Sequence, residues 1–419
     1  MNSMPKRKKF LWGASSAAHQ VEGNNYNDWT VWEQENAFRL AKEPKKYYLK
    51  YSKMFLSIEP PWELMNPHFE NPKNYISGDA VDHYNRYSED FKLAQDLGHN
   101  AHRFSIEWSR IEPKQGEFDS REIEHYRNVL KELKSRGLEP VATLWHFTLP
   151  VWAYEMGGFS NKKVANYFLR FVDLVSKEYA DLVTYWIVLN EPVIYTFATY
   201  FIGVFPNGNK GFFSGLKAIK NFIYVTNRAG SYIKKYNNKA LVGVSKQDLD
   251  ARFTTSWNHF LAYSVDFFWN LLFIVLTKKN LDFIGLNYYI SKIFGKKKAG
   301  LKYSDMGWGL YPKGLYNLLK KLQRFGKPIL ITECGLADSK DIKRGWYIKE
   351  VIENIKKAKA EGVVVTGFIY WSLTDNFEWD KGFWPKFGLV EIDYNNRLSR
   401  KTRRSGYIYK KLIEENFNI

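Results

Sequence analysis

The chain is short of the groups that staple or anchor a protein from outside its own core. It has a single cysteine, Cys334, so no internal disulfide can form and nothing asks for an oxidising compartment. A cytoplasmic location is expected. No apolar run is long enough to span a bilayer: the strongest, Phe267–Leu276, is interrupted by Asn270 and reads as a buried helix. No His, Cys and carboxylate cluster has the spacing of metal ligands, so neither a metal nor a cofactor is expected. Repeats, low-complexity tracts and flexible linkers are missing as well. The 419 residues exceed an average domain, but α/β barrels use this much chain in one unit, and one domain over 1–419 is the reading.

Aromatic residues are plentiful: 15 Trp, 28 Tyr and 30 Phe. Most suit a core. A sugar-binding cleft also uses them, because the apolar face of a pyranose stacks on a flat ring while its hydroxyls reach polar neighbours. The formal charge of +18 would suit a nucleic-acid binder. The basic residues, however, are scattered over predicted helix faces, as in Lys131/Lys134, Lys234/Lys235 and Lys356/Lys357/Lys359. Solvated surface is the first reading, a weak attraction to a polyanion or a membrane surface is the other, and no specific nucleic-acid partner is expected. At the N-terminus, Lys6–Lys9 followed by Phe10–Ala18 has the outline of a signal peptide. Its apolar stretch is short and broken by Gly13, Ser15 and Ser16, and the segment reads better as a first strand. The oligomeric state is left open.

Apolar β-type runs alternate with helical periodicity, which predicts parallel strands with helices outside. The predicted strands are Phe10–Ala14, Ala101–Ile106, Pro140–Leu144, Tyr185–Leu189, Leu241–Ser245, Asp282–Leu286, Pro328–Thr332 and Val364–Tyr370. Between them run helical patterns such as Ile123–Arg136, Lys163–Glu178, Leu216–Lys235 and Ile348–Glu361. Gly98, Gly137, Gly326 and Gly362 punctuate the chain before strands two, three, seven and eight. Eight such units predict an α/β fold, a single (β/α)₈ TIM barrel with its active site at the C-terminal ends of the strands. A doubly wound sheet is the rival. The least regular region, Glu35–Tyr75, reads as a long loop after strand one over the pocket mouth.

Two strands run straight into a glutamate: Val188-Leu189-Asn190-Glu191-Pro192 and Ile329-Leu330-Ile331-Thr332-Glu333. A buried strand tip has no use for a carboxylate, since desolvating the charge costs several kcal/mol unless partners offset it. Two of them suggest glutamates facing each other across one pocket. Glycosidic cleavage needs that equipment: one carboxylic acid to protonate the leaving oxygen, and one carboxylate to attack the anomeric carbon or activate water. Asn190 can hydrogen-bond a sugar hydroxyl, although Asn190-Glu191-Pro192 also reads as a helix N-terminal turn. Arg103 ends an apolar strand and can keep a buried glutamate ionised, or form a plain structural salt bridge. His146, in Trp145-His146-Phe147, falls at the end of the third strand, where a structural role competes with a functional one.

These residues and their order resemble the family 1 glycoside hydrolases, the retaining β-glucosidases and β-galactosidases. The resemblance runs from Phe10-Leu11-Trp12-Gly13-Ala14 through His19-Gln20-Val21-Glu22-Gly23 to Phe387-Gly388-Leu389-Val390-Glu391, nearly the whole chain. Ser77–Tyr84, Trp145–Pro150 and Trp371–Trp379 are further blocks within it. It implies Glu191 as general acid/base and Glu333 as the nucleophile that forms a covalent glycosyl-enzyme. Arg103 and Tyr289 are implied as the groups that hold the nucleophile charged and oriented. Gln20, His146, Asn190, Glu378 and Trp379 are implied as the hydrogen-bonding shell of the sugar, with Trp371 its stacking floor; barrel packing is the other reading of the two tryptophans. The implied substrate is a small neutral β-glucoside or β-galactoside, since Glu378 would repel a 6-phosphate. Transglycosylation and a non-catalytic ligand-binding barrel are the alternatives.

Three features depart from the family pattern. Cys334 follows the expected nucleophile where the family usually has Asn. Asp282 follows Ser245 by only 37 positions, so a thinner or partly open wall is expected there, partly filled by Trp257, Phe267, Phe268 and Trp269. The content of Glu35–Tyr75 is unusual and is expected to reshape the aglycone side.

Overall fold

A computed structural model describes residues 9–52, 69–206, 211–253, 263–264, 266–294 and 302–416. Eight parallel strands carry it: β1 (Leu11–Ser15), β2 (Ala101–Ser105), β3 (Glu139–Thr143), β4 (Tyr185–Asn190), β5 (Leu241–Gln247), β6 (Phe283–Tyr288), β7 (Ile329–Cys334) and β8 (Val365–Trp371). They close into a barrel in which each strand pairs with the next in sequence. The seam runs from Leu11↔Gly367 to Ser15↔Trp371. This is the predicted (β/α)₈ architecture, and each predicted strand is found within two residues of its expected ends.

Side-chain alternation divides each strand between two environments. Leu11, Ala101, Val141, Ile187, Phe283, Leu330 and Ile369 point inward and pack as one layer inside the barrel, so the interior is filled rather than hollow. The opposite faces meet the helices. Helix α2 (Ser120–Ser135), α3 (Lys162–Tyr179), α4 (Phe212–Tyr236) and α5 (Arg344–Ala360) follow the predicted patterns. In α3 the buried set Val164, Phe168, Phe171, Val172 and Val175 recurs every three or four residues, which is the apolar stripe that fixes the helix to the barrel. Gly13 permits the β1–β2 approach: a Cβ there would stand 2.1 Å from the Ala101 carbonyl oxygen.

Three expectations need correction. The stretch from Glu35 is not a loop: α1 (Asp28–Lys42) runs through it, the helix Pro44–Ser52 follows, and a 3₁₀ turn spans Pro72–Tyr75. Residues 53–68 lie outside the described residues. The helix begins because Asn27 accepts from the Thr30 amide at 3.0 Å while Thr30 Oγ1 accepts from the Asn27 amide at 2.9 Å, a reciprocal cap with Thr in the place usual for Glu or Gln. Second, the segment Phe267–Leu276 is not a uniformly buried helix. It is a π-turn (Phe267–Leu271) leading into the helix Leu272–Thr277, with Phe268, Val275 and Leu276 exposed. Third, Phe268 therefore fills no gap between β5 and β6; Phe267 and Trp269 are half-buried. Trp257 and the rest of 254–262 lie outside the described residues.

Candidate active site

The strand tips converge on one cleft that opens to solvent. Nine of the ten expected residues line it: Gln20, His146, Asn190, Glu191, Tyr289, Glu333, Trp371, Glu378 and Trp379. The tenth, Arg103, lies fully buried against Glu333.

Local backbone geometry aims the two glutamates. At the end of β4, Glu191 adopts φ 44°, ψ 54°, a left-handed turn before Pro192 opens the helix Pro192–Thr196. Non-glycine residues occupy that region rarely. The Glu191 amide donates to the Ser245 carbonyl at 2.8 Å, which fixes the turn. At the end of β7 the pairing with β6 slips between Ile331 and Glu333, as a bulge does. The slip lets Thr332 and Glu333 both serve the barrel mouth, while Cys334 packs outward, its sulfur 3.7 Å from Tyr347 Oη.

The environments of the two carboxyl groups differ. Glu333 is gripped at both oxygens: Arg103 Nη1 donates to Oε1, and Tyr289 Oη donates to Oε2 at 2.6 Å. Charge-assisted contacts of this kind are short and strong, and they hold the carboxylate in one orientation. Arg103 is itself fixed by Thr143 Oγ1 at 3.1 Å, the Thr332 carbonyl at 3.3 Å and Asn190 Oδ1 at 2.7 Å. Among the described residues, no cation pairs with Glu191. Burial, then the Glu333 charge, raise its pKa to about 8, and the hydrogen bond from Asn287 works the other way. Glu191 is therefore a protonated acid at neutral pH.

At the other end of the cleft, Glu378 Oε2 accepts from Asn376 Nδ2 at 2.9 Å and from Gln20 Nε2 at 3.3 Å. Burial raises the Glu378 pKa to about 7. Gln20 Oε1 and His146 Nδ1 are buried and have no hydrogen-bond partner among the described residues. Arg103 holds Asn190 Oδ1, so the Asn190 amide points at His146 Nε2, 3.1 Å away. With Nε2 accepting, Nδ1 carries the proton. Burial, then the charge of Arg103, keep the ring neutral. Two cleft-lining residues thus each carry a buried polar atom without a partner among the described residues, one an acceptor and one a donor. Trp371 and Trp379 flank the His146 ring, with centroids 6.0 and 6.1 Å from it. Trp379 also stacks on His19 at 5.5 Å and meets Trp29 at 4.6 Å.

Sequence reasoning missed Asn287. Its amide donates to Glu191 Oε1 at 2.7 Å and to Asn190 Oδ1 at 3.2 Å, and its oxygen meets Ser245 Oγ at 2.8 Å and Thr332 Oγ1 at 2.7 Å. It ties β4, β5 and β7 together beneath the cleft. The signal was an amide in the last turns of an apolar strand, Phe283-Ile284-Gly285-Leu286-Asn287. Asn376 was likewise passed over, although it holds Glu378.

The sequence profile described as glycosyl hydrolase family 1 matches residues 62–258 and 272–418. The chain belongs to that family. As a family 1 member it is a glycoside hydrolase built on the family's (β/α)₈ barrel. It is 28% identical to β-glucosidase A of Acetivibrio thermocellus, over 99% of this chain and 100% of that protein. It is 34% identical over 358 residues to the chloroplastic galactolipid galactosyltransferase SFR2 of Arabidopsis thaliana. That match covers 78% of this chain and 57% of the plant protein, so the family 1 chain described here spans little more than half of that relative. Among solved structures, the β-glycosidase from Pyrococcus horikoshii superposes with a TM-score of 0.80 at 29% identity, over 98% of this chain and 94% of that one. Among the described residues, no helix is long and apolar enough to cross a membrane.

Proposed function

We propose that this family 1 glycoside hydrolase is a retaining exo-β-glycosidase for neutral β-glucosides and β-galactosides. The observation that carries the reading is the opposite treatment of two glutamates in one cleft: Glu333 gripped by Arg103 and Tyr289, Glu191 buried and holding its proton to about 8. In the first step Glu191 gives its proton to the glycosidic oxygen. Glu333 attacks the anomeric carbon, the bond to the aglycone breaks, and a glycosyl ester forms on Glu333. In the second step the Glu191 carboxylate takes a proton from water. The hydroxide equivalent attacks the anomeric carbon, the ester bond breaks, and the sugar leaves with its configuration retained.

Gln20 Oε1, His146 Nδ1–H and Glu378 are suited to the hydroxyls of the non-reducing sugar, and Trp371 to its apolar face. A carboxylate at Glu378 disfavours a 6-phosphate. Cytoplasmic residence belongs to the same reading, since Cys334 is buried and unbridged, as does a single catalytic domain over the whole chain. The test is Glu333→Ala: hydrolysis of nitrophenyl β-glucoside should vanish, and azide or formate should restore turnover with inverted product. Undiminished hydrolysis by that variant would overturn the assignment. A panel of nitrophenyl β-glycosides with and without a 6-phosphate tests the substrate class. Transfer to a sugar hydroxyl in place of water is a second reading, supported by the 34% identity to a protein named as a galactosyltransferase. Product analysis at high acceptor concentration separates the two.

A further inference from the structure

The cleft is polar where a sugar would sit, but its wall after β4 is not. Ile194, Phe197, Ala198, Ile202, Val204 and Phe205 line it. From that wall a line of ring contacts leads to the surface. Phe197 meets Phe201 edge-on with centroids 6.3 Å apart, Phe201 stacks on Phe212 at 5.8 Å, and Phe212 abuts Phe213 at 5.8 Å. These outer residues are open to solvent: Phe201 is 45% exposed, Phe212 63%, Phe213 77% and Leu216 46%. Single exposed apolar side chains are ordinary, whereas a contiguous group joined to a ligand cleft marks an interaction surface. The group is built rather than loose, because the Phe201 ring rests on Gly215, where a Cβ would come within 2.4 Å of it.

Along the segment that carries this patch the charge has one sign. From Pro192 to Gln247 the chain contains no Asp or Glu, against eight Lys and Arg. Lys217 and Lys220 are exposed on α4, one and two turns from Phe213. Farther along, burial and then the charges of Arg228 and Lys220 lower the Lys162 ammonium to about 8.

Exposed phenylalanines and leucine beside exposed lysines suit the boundary between headgroups and acyl chains of an anionic membrane. We propose that this rim docks on an anionic lipid bilayer. Phe201, Phe212, Phe213 and Leu216 enter the acyl boundary, and Lys217 and Lys220 meet headgroup phosphates. The cleft then opens at the bilayer, and β-glycosides with a lipid aglycone enter along the apolar wall. The docking stands on its own; the substrate class rests on the glycosidase reading above.

Co-sedimentation of the full chain with vesicles of phosphatidylcholine and phosphatidylglycerol, and of phosphatidylcholine alone, tests it. Binding to the anionic vesicles alone is expected. It should fall about tenfold in Phe212→Ser/Phe213→Ser and in Lys217→Glu/Lys220→Glu, with melting temperature and nitrophenyl β-glucoside turnover unchanged. Hydrolysis of dodecyl β-glucoside carried in anionic vesicles should fall with binding. No sedimentation with anionic vesicles, or equal sedimentation of the phenylalanine variant, would overturn the docking. So would a dimer that the phenylalanine variant dissociates, seen without vesicle binding, since the patch would then join two copies. Wild-type protein that binds vesicles but cleaves no glycoside would sink the catalytic reading and leave the docking standing.

Discussion

The guanidinium of Arg103, on β2, reaches the carboxylate of Glu333, on β7, across the interior of the barrel. The two strands are not neighbours: β1 and β8 lie between them on the shorter way round. Both groups are buried, so each depends on the other for neutralisation. Removing one partner of such a pair leaves an uncompensated charge and costs about 3–5 kcal/mol. Arg103→Met should lose that much stability in urea, and Arg103→Met/Glu333→Gln should recover at least ~1 kcal/mol of it. Strictly additive losses in this cycle would show that the contact carries no coupling. The single variant should also lose kcat/KM for nitrophenyl β-glucoside by at least about a hundredfold, a magnitude ordinary for loss of a group that stabilises developing charge.

On the proposed mechanism Glu191 sets the alkaline limit of activity. It must be protonated to act as an acid, and its pKa is raised to about 8, chiefly by burial and then by Glu333. The rate should therefore hold through neutrality and fall as pH rises through 8. Asn287 donates to the ionised form and so favours it. Asn287→Leu should destabilise the anion and move the alkaline limb to higher pH, read from kcat/KM profiles of the two proteins. A limb that stays in place or moves down would refute the role given to Asn287.

The same raised pKa has a signature in stability. A carboxyl group whose pKa rises on folding holds its proton more tightly folded than unfolded. Its stabilising contribution is complete below the unfolded value of 4.5 and is lost as pH climbs through the folded value. Glu191→Gln keeps the neutral shape at every pH. The variant should match wild type in urea unfolding at pH 4 and exceed it at pH 8, by on the order of 3 kcal/mol. Equal stabilities at pH 8 would mean that Glu191 ionises in the folded protein as freely as it does in water.

The barrel was legible because its signals are local and repeated. Each strand is an apolar run and each helix, such as α3, an apolar stripe, so eight units could be read one after another. The paired glutamates were legible because a carboxylate at the tip of an apolar strand contradicts its surroundings. Asn287 was not, since an amide is unremarkable at a strand end and its partners Asn190, Ser245 and Thr332 come from three other strands. α1 was hidden by its cap, in which Thr30 does the work usual for a longer acid or amide. The exposed face of Phe267–Leu276 was hidden for another reason: hydropathy measures how apolar a segment is, not whether anything covers it.

Cys334 sits next to Glu333 in sequence but belongs to a different environment. The slip in β7 sends Glu333 into the cleft and Cys334 into the packing between barrel and α5, against Tyr347. Burial pushes its thiol up to about 12, so almost no thiolate exists at neutral pH, and the thiolate is the reactive form. Iodoacetamide should leave the native enzyme unmodified and fully active, and should label it only after unfolding. Cys334→Ala removes one buried sulfur and should cost about 1–2 kcal/mol in urea unfolding, with kcat/KM within about threefold of wild type. Rapid inactivation of the native enzyme by iodoacetamide, protected by bound sugar, would instead place the thiol in the cleft and break the geometric argument that β7 shows its carboxylate and its sulfur to opposite sides.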